Sequence, residues 1–305
     1  MQAIPYGVPL DAAANPWLTL DRELRDQGLR APDAPPVRAV VCVTVHVDGP
    51  AVEVGRKQFP AGLHTAGRYA IRRGVPRHLD ILARHAMPAT FFACGYDVEH
   101  YPDTFRAILA AGHEIAAHGY LHEAWDLGED EPALLEKTHT LIQQQLGVTP
   151  VGWCSPSGRK SHRTLPALRR LGYCYDASEK DRDRPYLPAD AADDGFVMLP
   201  NNTVSLDDYP FYFTGHSLAA EACDNWIEEF EALRQAEGYI HLTVHPKAAG
   251  GSGTPARAAA MDRFLAHVAA QADVHCMTLE ALARHCLAHP LSLIHISEPT
   301  RLLSI

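Results

Sequence analysis

Two kinds of apolar pattern alternate along this chain. Short uncharged runs of β-branched and aromatic residues predict strands buried on both faces. Longer stretches with apolar residues three and four apart predict helices with one buried side. The first strand is 39–45, which runs into His46, Asp48, Gly49 and Pro50. Further strands are predicted at 88–94, in the residues leading into His118, and at 151–154, 173–176, 196–200, 239–244 and 274–277. Helices are predicted at 75–85, 101–111, 132–146, 163–171, 219–236, 256–270 and 279–288, with Gly112, Gly147, Gly172 and Gly238 as stops. Between Pro50 and Tyr69 the glycines suggest a loop carrying Glu53 and Arg56, and 205–213 reads as an aromatic loop.

About eight strand–helix alternations imply parallel strands with helical crossovers, hence an α/β barrel or a doubly wound sheet. The polar residues with chemical potential follow at least five different strands. A barrel gathers such residues on one face, whereas a doubly wound sheet concentrates them at one switch point, so the barrel is favoured. No domain boundary or repeat interrupts 36–290, which reads as a single domain. Residues 1–35 are rich in Pro, Ala and Asp and read as an arm, with one short helix within 16–29, packing on the domain or on a neighbouring subunit. Residues 291–305 can be encoded by a transposase-type sequencing adapter and are set aside as a non-native tail.

Composition narrows the partners. The net charge is −10 with no basic block, which argues against nucleic acid or an anionic membrane. No apolar run approaches the ~20 residues that span a bilayer. The N-terminus shows no signal-peptide pattern. Seven cysteines without C-x-x-C spacing suggest reduced thiols. A cytoplasmic protein acting on a small molecule is the expectation.

His118 and His122 are four apart; on a helical turn their Cβ atoms would lie roughly 5–6 Å apart, able to grip one divalent cation. The chain has 18 histidines, so a surface pair is the alternative. His46 and Asp48, two apart at a strand end, point the same way. Asp48 suits either a turn or a ligand. Asp48, His118 and His122 together would leave open positions on a metal, the catalytic rather than structural arrangement for zinc. Residues 250–254 are glycine-rich but lack the lysine of a P-loop, and no G-x-S-x-G nucleophile elbow occurs.

At this point the order of motifs resembles the polysaccharide deacetylase (NodB-homology) family, over about 38–288. The carriers are Asp48-Gly49, Ala89-Thr90-Phe91-Phe92, and Gly112-His113-Glu114-Ile115-Ala116 leading to His118 and His122. Gly152-Trp153 with Ser155-Pro156, Tyr175-Asp176 with Ser178, and Leu242 with His245-Pro246 complete the series. Gly55-Arg56, Gly67-Arg68-Tyr69 and Gly74-Val75-Pro76-Arg77 are similar to a cytosolic branch with peptidoglycan-deacetylase-like, allantoinase-like and cyclic-imidase-like members. The resemblance implies a distorted (β/α) barrel of seven or eight strands. It also implies metal-dependent hydrolysis of non-peptide C–N amide bonds, commonly with zinc. The reaction would be N-deacetylation of an amino sugar or opening of a cyclic imide or ureide. By the same resemblance Asp48, His118 and His122 hold the metal and His245 is the general acid, a role that suits imidazole at neutral pH. The family and the arm together suggest a homo-oligomer.

Two positions depart from the family. His46 stands where the family has a basic aspartate, and Cys154 where it has the arginine paired with that aspartate. The double change is coherent, because an arginine without its carboxylate would be a buried unpaired cation. His46 is then a replacement base, a fourth metal ligand, or the mark of lost catalysis. In the last case the chain is a metal-binding module for binding or assembly. Arg159 is expected to contact substrate as a bidentate donor. Asp176 and Asp208 are expected to bind substrate, and Asp207, Tyr209, Phe211 and Tyr212 to wall it.

Overall fold

In the computed structural model, residues 15–57, 61–123, 127–188, 195–201, 205–236 and 238–289 are described. The first fourteen residues of the expected arm and the whole expected adapter tail lie outside them. Eight parallel strands form one curled sheet: β1 Ala39–Val47, β2 Ala89–Ala93, β3 Glu114–Ala117, β4 Gly152–Trp153, β5 Tyr175–Asp176, β6 Val197–Met198, β7 Tyr239–Val244 and β8 Val274–Cys276. The order is β6-β5-β4-β3-β2-β1-β7, and β8 pairs with the first residues of β1. Beyond β6, Asp207 makes an isolated parallel bridge to Thr243 of β7. The result is the expected α/β barrel, incompletely closed.

Helices alternate with the strands: α1 Leu18–Asp26, α2 Pro50–Gly55, α3 Ala61–Tyr69, α4 Val75–Arg84, α5 Gly95–His100, α6 Pro102–Ala110, α7 Glu131–Leu146, α8 Thr164–Arg170, α9 Ala219–Ala236, α10 Pro255–Ala269 and α11 Leu279–Ala288. Among the described residues, none of these helices is long and apolar enough to cross a membrane. All seven cysteines are free.

Strand alternation sorts β1 into two faces. Val41, Val43, Val45 and Val47 join the outer core under the helices. Val40 and Cys42 join an inner core within the barrel, and Thr44, His46 and Asp48 continue that inner face toward the catalytic end. The other end is plugged: Trp17, Leu20 and Leu24 at α1 meet Leu279, Leu282 and Cys286 of α11 in the inner core. The arm helix therefore packs on its own barrel. Asp21 anchors it, accepting from Arg25 Nε (2.8 Å) and Val37 N (3.0 Å) and forming an ion pair with Arg30 at 3.0 Å.

The expected loop from Pro50 to Tyr69 is a correction, because helices α2 and α3 occupy it. A π-turn, Ala70–Gly74, then runs into α4. The glycines there mark close packing rather than turns. A Cβ on Gly67 would lie 2.4 Å from Glu53 Oε2, and one on Gly74 would lie 1.8 Å from the Pro246 carbonyl oxygen. Pro50 sits in the first turn of α2, where its missing N–H costs nothing. Strands β4, β5 and β6 are two residues each, shorter than expected.

Candidate active site

The ends of β1, β3 and β7 deliver the central histidines. His46 is next to Phe92 in the β2 register, and its ring lies 4.8 Å from that of His118 and 5.2 Å from that of His245. The His118–His122 pair is not on a helical turn as expected. His118 follows β3 directly, and Gly119 (φ +73°) then turns the chain. Glu123 fixes that turn by accepting from Tyr120 N at 3.0 Å and Leu121 N at 2.7 Å. A Cβ on Gly119 would meet the Glu123 carboxylate at 2.7 Å. His122 itself takes φ +56°. The turn still brings the two rings to 4.9 Å.

His118 Nδ1 donates to the Cys154 carbonyl at 2.6 Å, which leaves Nε2 as the free lone pair. Burial lowers the pKa of His118 to about 4 and that of His122 to about 3, so both rings are neutral donors. Asp48 Oδ2 lies 3.7 Å from His122 Nε2 and 2.9 Å from Lys247 Nζ. Burial alone would raise the Asp48 pKa. The charges around it, Lys247 first, hold it far below the usual carboxylate range. Its Oδ1 is buried without a partner. A buried unpartnered carboxylate oxygen beside two neutral imidazoles has donor chemistry that suits a divalent cation. Donor atoms of His46, His118 and Cys154 lie within 4.8 Å of one another, a grouping that holds neither Asp48 nor His122. His46 Nε2 is buried without a partner, and burial keeps the ring neutral.

His245 stands beside His46, because β7 pairs directly with β1. Asp208 accepts from its Nδ1 at 2.6 Å, from its backbone N at 2.8 Å and from Ser252 N at 2.7 Å. Burial opposes charge on His245, but Asp208 outweighs it and raises the pKa to about 9. Burial raises Asp207 to about 6. In the glycine-rich stretch after Gly250, the Ser252 amide is thus turned toward a protein carboxylate. His46, Asp48, His118, His122, His245 and Lys247 all line one cavity of about 560 Å³.

Three expected substrate contacts are corrected. Asp208 is fully buried beneath His245 and holds that ring. Asp176 is also fully buried. Its carboxylate accepts from Ser178 N at 2.9 Å and Lys160 Nζ at 2.5 Å, which leaves it behind the cavity wall. Arg159 is exposed and outside the lining, which ends at Ser157 and Gly158 in that loop. Of the expected walls, Asp207 and Tyr209 line the cavity. Phe211 and Tyr212 pack on Trp226. Phe213, stacked on Tyr209 at 4.7 Å, takes their place. Lys247 was missed. Its signal was available, because His245 and Lys247 repeat the two-residue spacing of His46 and Asp48 at a strand end.

The sequence model of the family described as polysaccharide deacetylase matches residues 66–175. The crystal structure of a putative polysaccharide deacetylase from Mycobacterium smegmatis superposes with a TM-score of 0.78 at 33% identity, covering 88% of this chain and 96% of that one. A peptidoglycan deacetylase of Helicobacter pylori is 36% identical over 39% of this chain and 42% of its own length. A peptidoglycan deacetylase-like protein of Gibberella zeae is 37% identical over 49% of this chain and 47% of its own. The chain thus spans less than half the length of these two curated relatives.

Proposed function

The chain belongs to the polysaccharide deacetylase family, and from that premise we propose that it is a metal-dependent hydrolase that removes N-acetyl groups from an amino sugar. The observation that carries this reading is the presence in one cavity of a cationic His245 and the neutral donors His118 and His122 beside Asp48. Asp48, His118 and His122 would hold the cation, with zinc the best match to two imidazoles and a carboxylate. When bound, it would polarise the amide carbonyl and lower the pKa of water to near 7.

The protein's own residues supply the proton traffic. Neutral His46, which lines the cavity, takes a proton from the attacking water. His245, held charged by Asp208, gives a proton from Nε2 to the departing nitrogen, which leaves poorly as an anion. Asp208 keeps Nδ1–H occupied, so the proton delivered is the one facing the cavity. The stacked Tyr209 and Phe213 offer an apolar wall suited to a sugar ring face.

One observation favours a second reading. His46 Nε2 stands with His118 and Cys154 donors within 4.8 Å. If His46 spends its lone pair on the cation, the chain becomes a metal-binding module with little turnover. The zinc-loaded protein is therefore incubated with N-acetylglucosamine oligomers, allantoin, hydantoins and succinimide, with and without chelator. Acetate release from the oligomers, abolished by chelator, is expected. Turnover of a cyclic substrate alone moves the assignment to ring opening, and no turnover of any compound overturns the hydrolase reading.

A further inference from the structure

At the end of the barrel away from the catalytic cavity, α1 and α11 close the strands' N-terminal ends. At the rim of their contact, Glu23 of α1 faces two histidines spaced four apart. His285 Nδ1 lies 3.0 Å from Glu23 Oε2, and His289 Nε2 lies 2.6 Å from Glu23 Oε1. The two rings are 4.9 Å apart. One donor atom from each of the three residues falls within 4.8 Å of the other two. His285 is 7% exposed, and its Nε2 is buried without a partner. The side chains of Glu23 and His289 are about one-third exposed, so the cluster opens to solvent on one side.

Two imidazoles and one carboxylate, converging with one side open, are the donor set of a borderline divalent transition ion. Here the helical spacing that fails at His118 and His122 does operate, since His285 lies in the last turn of α11 and His289 caps it. We propose that Glu23, His285 and His289 form a second cation site, taking zinc or a similar ion, that fastens the arm helix to the last helix. The joined residues are 262 and 266 positions apart in the chain. An ion there closes nearly the whole chain into a loop and binds the folded state alone. The proposal is independent of the catalytic reading, because it shares no residue with the cavity.

The metal-stripped full chain is titrated with zinc, and bound zinc is counted by atomic emission. Wild type is compared with His289→Ala, Glu23→Gln and, for the catalytic cavity, His122→Ala. The expected stoichiometry is about two ions in wild type and about one in each variant. Zinc should also raise the melting temperature of His122→Ala but not of His122→Ala/His289→Ala. Unchanged stoichiometry and melting response in both His289→Ala and Glu23→Gln overturn the site and leave an ion-pair contact. A wild type that holds a single ion, lost in His122→Ala and kept in His289→Ala, overturns it as well. A single ion lost in His289→Ala and kept in His122→Ala supports this site and removes the catalytic one.

Discussion

Asp208 grips His245 twice, accepting from the ring Nδ1 at 2.6 Å and from the backbone N at 2.8 Å. This one carboxylate sets both the orientation and the charge of the proposed acid. Asp208→Asn keeps the size and removes the charge. Turnover should fall by about 10²–10⁴-fold, the range for a general acid. The group must be protonated to act, so activity is lost as pH rises through its pKa, about 9 in the native protein. In Asp208→Asn the alkaline limb of the kcat profile should move to lower pH. An unmoved limb would rule His245 out as the acid.

Lys247 places a second cation 2.9 Å from the oxygen that His122 also approaches. It leaves Oδ1 of Asp48 as the carboxylate's unpartnered face. A positive charge about 4 Å from a divalent ion costs about 8 kcal/mol at an effective dielectric near 20, before screening. Lys247→Met should therefore tighten zinc binding by roughly tenfold or more. Isothermal titration checks this, and weaker binding would mean that Lys247 supports the site rather than opposing the ion.

His46 tests the departure from the family. His46→Asp restores the carboxylate that the family has at this position, and turnover of the zinc-loaded protein should rise. The new charge has no arginine beside it, since Cys154 occupies that position, so stability should drop by about 3–5 kcal/mol without metal. His46→Asp/Cys154→Arg should recover that loss in urea unfolding. An inert His46→Asp protein with zinc bound would favour the binding-module reading.

Glu114 is a stability determinant outside the cavity. It accepts from Thr90 Oγ1 (2.6 Å), Tyr175 OH (2.6 Å) and the backbone N of Glu280 (2.9 Å), joining three strands to the start of α11. Burial raises its pKa from 4.5 to about 7. Between those values the folded chain holds a proton that the unfolded chain has released, so stability should fall as pH rises across that window. The fall is at most about 3 kcal/mol. Urea unfolding at pH 5 and pH 8 measures it, and Glu114→Gln should flatten the difference.

The barrel was legible because local pattern reports burial. Residues 39–45 could only be a strand covered on both sides, and α9, α11 and β7 appear with the bounds that their periodicity indicated. The gathering of Asp48, His118, His122 and His245 was legible for the same reason: strand-end residues of a parallel barrel share one face. Pattern misled at 50–69, where Gly55 and Gly67 are small because Leu121 and Glu53 press against them. Nothing local distinguishes that from a turn.

Roles that depend on a partner across the barrel were decided by tertiary structure alone. Asp176 and Asp208 look alike as acidic residues near strand ends, yet one is bound by Lys160 and Ser178 and the other by His245. Arg159 had a plausible place near the cavity and points elsewhere. Spacing along a chain gives the direction in which a side chain leaves its own strand or helix. Which charge fills the space it enters depends on segments tens to hundreds of residues away, and so on the closure of the fold.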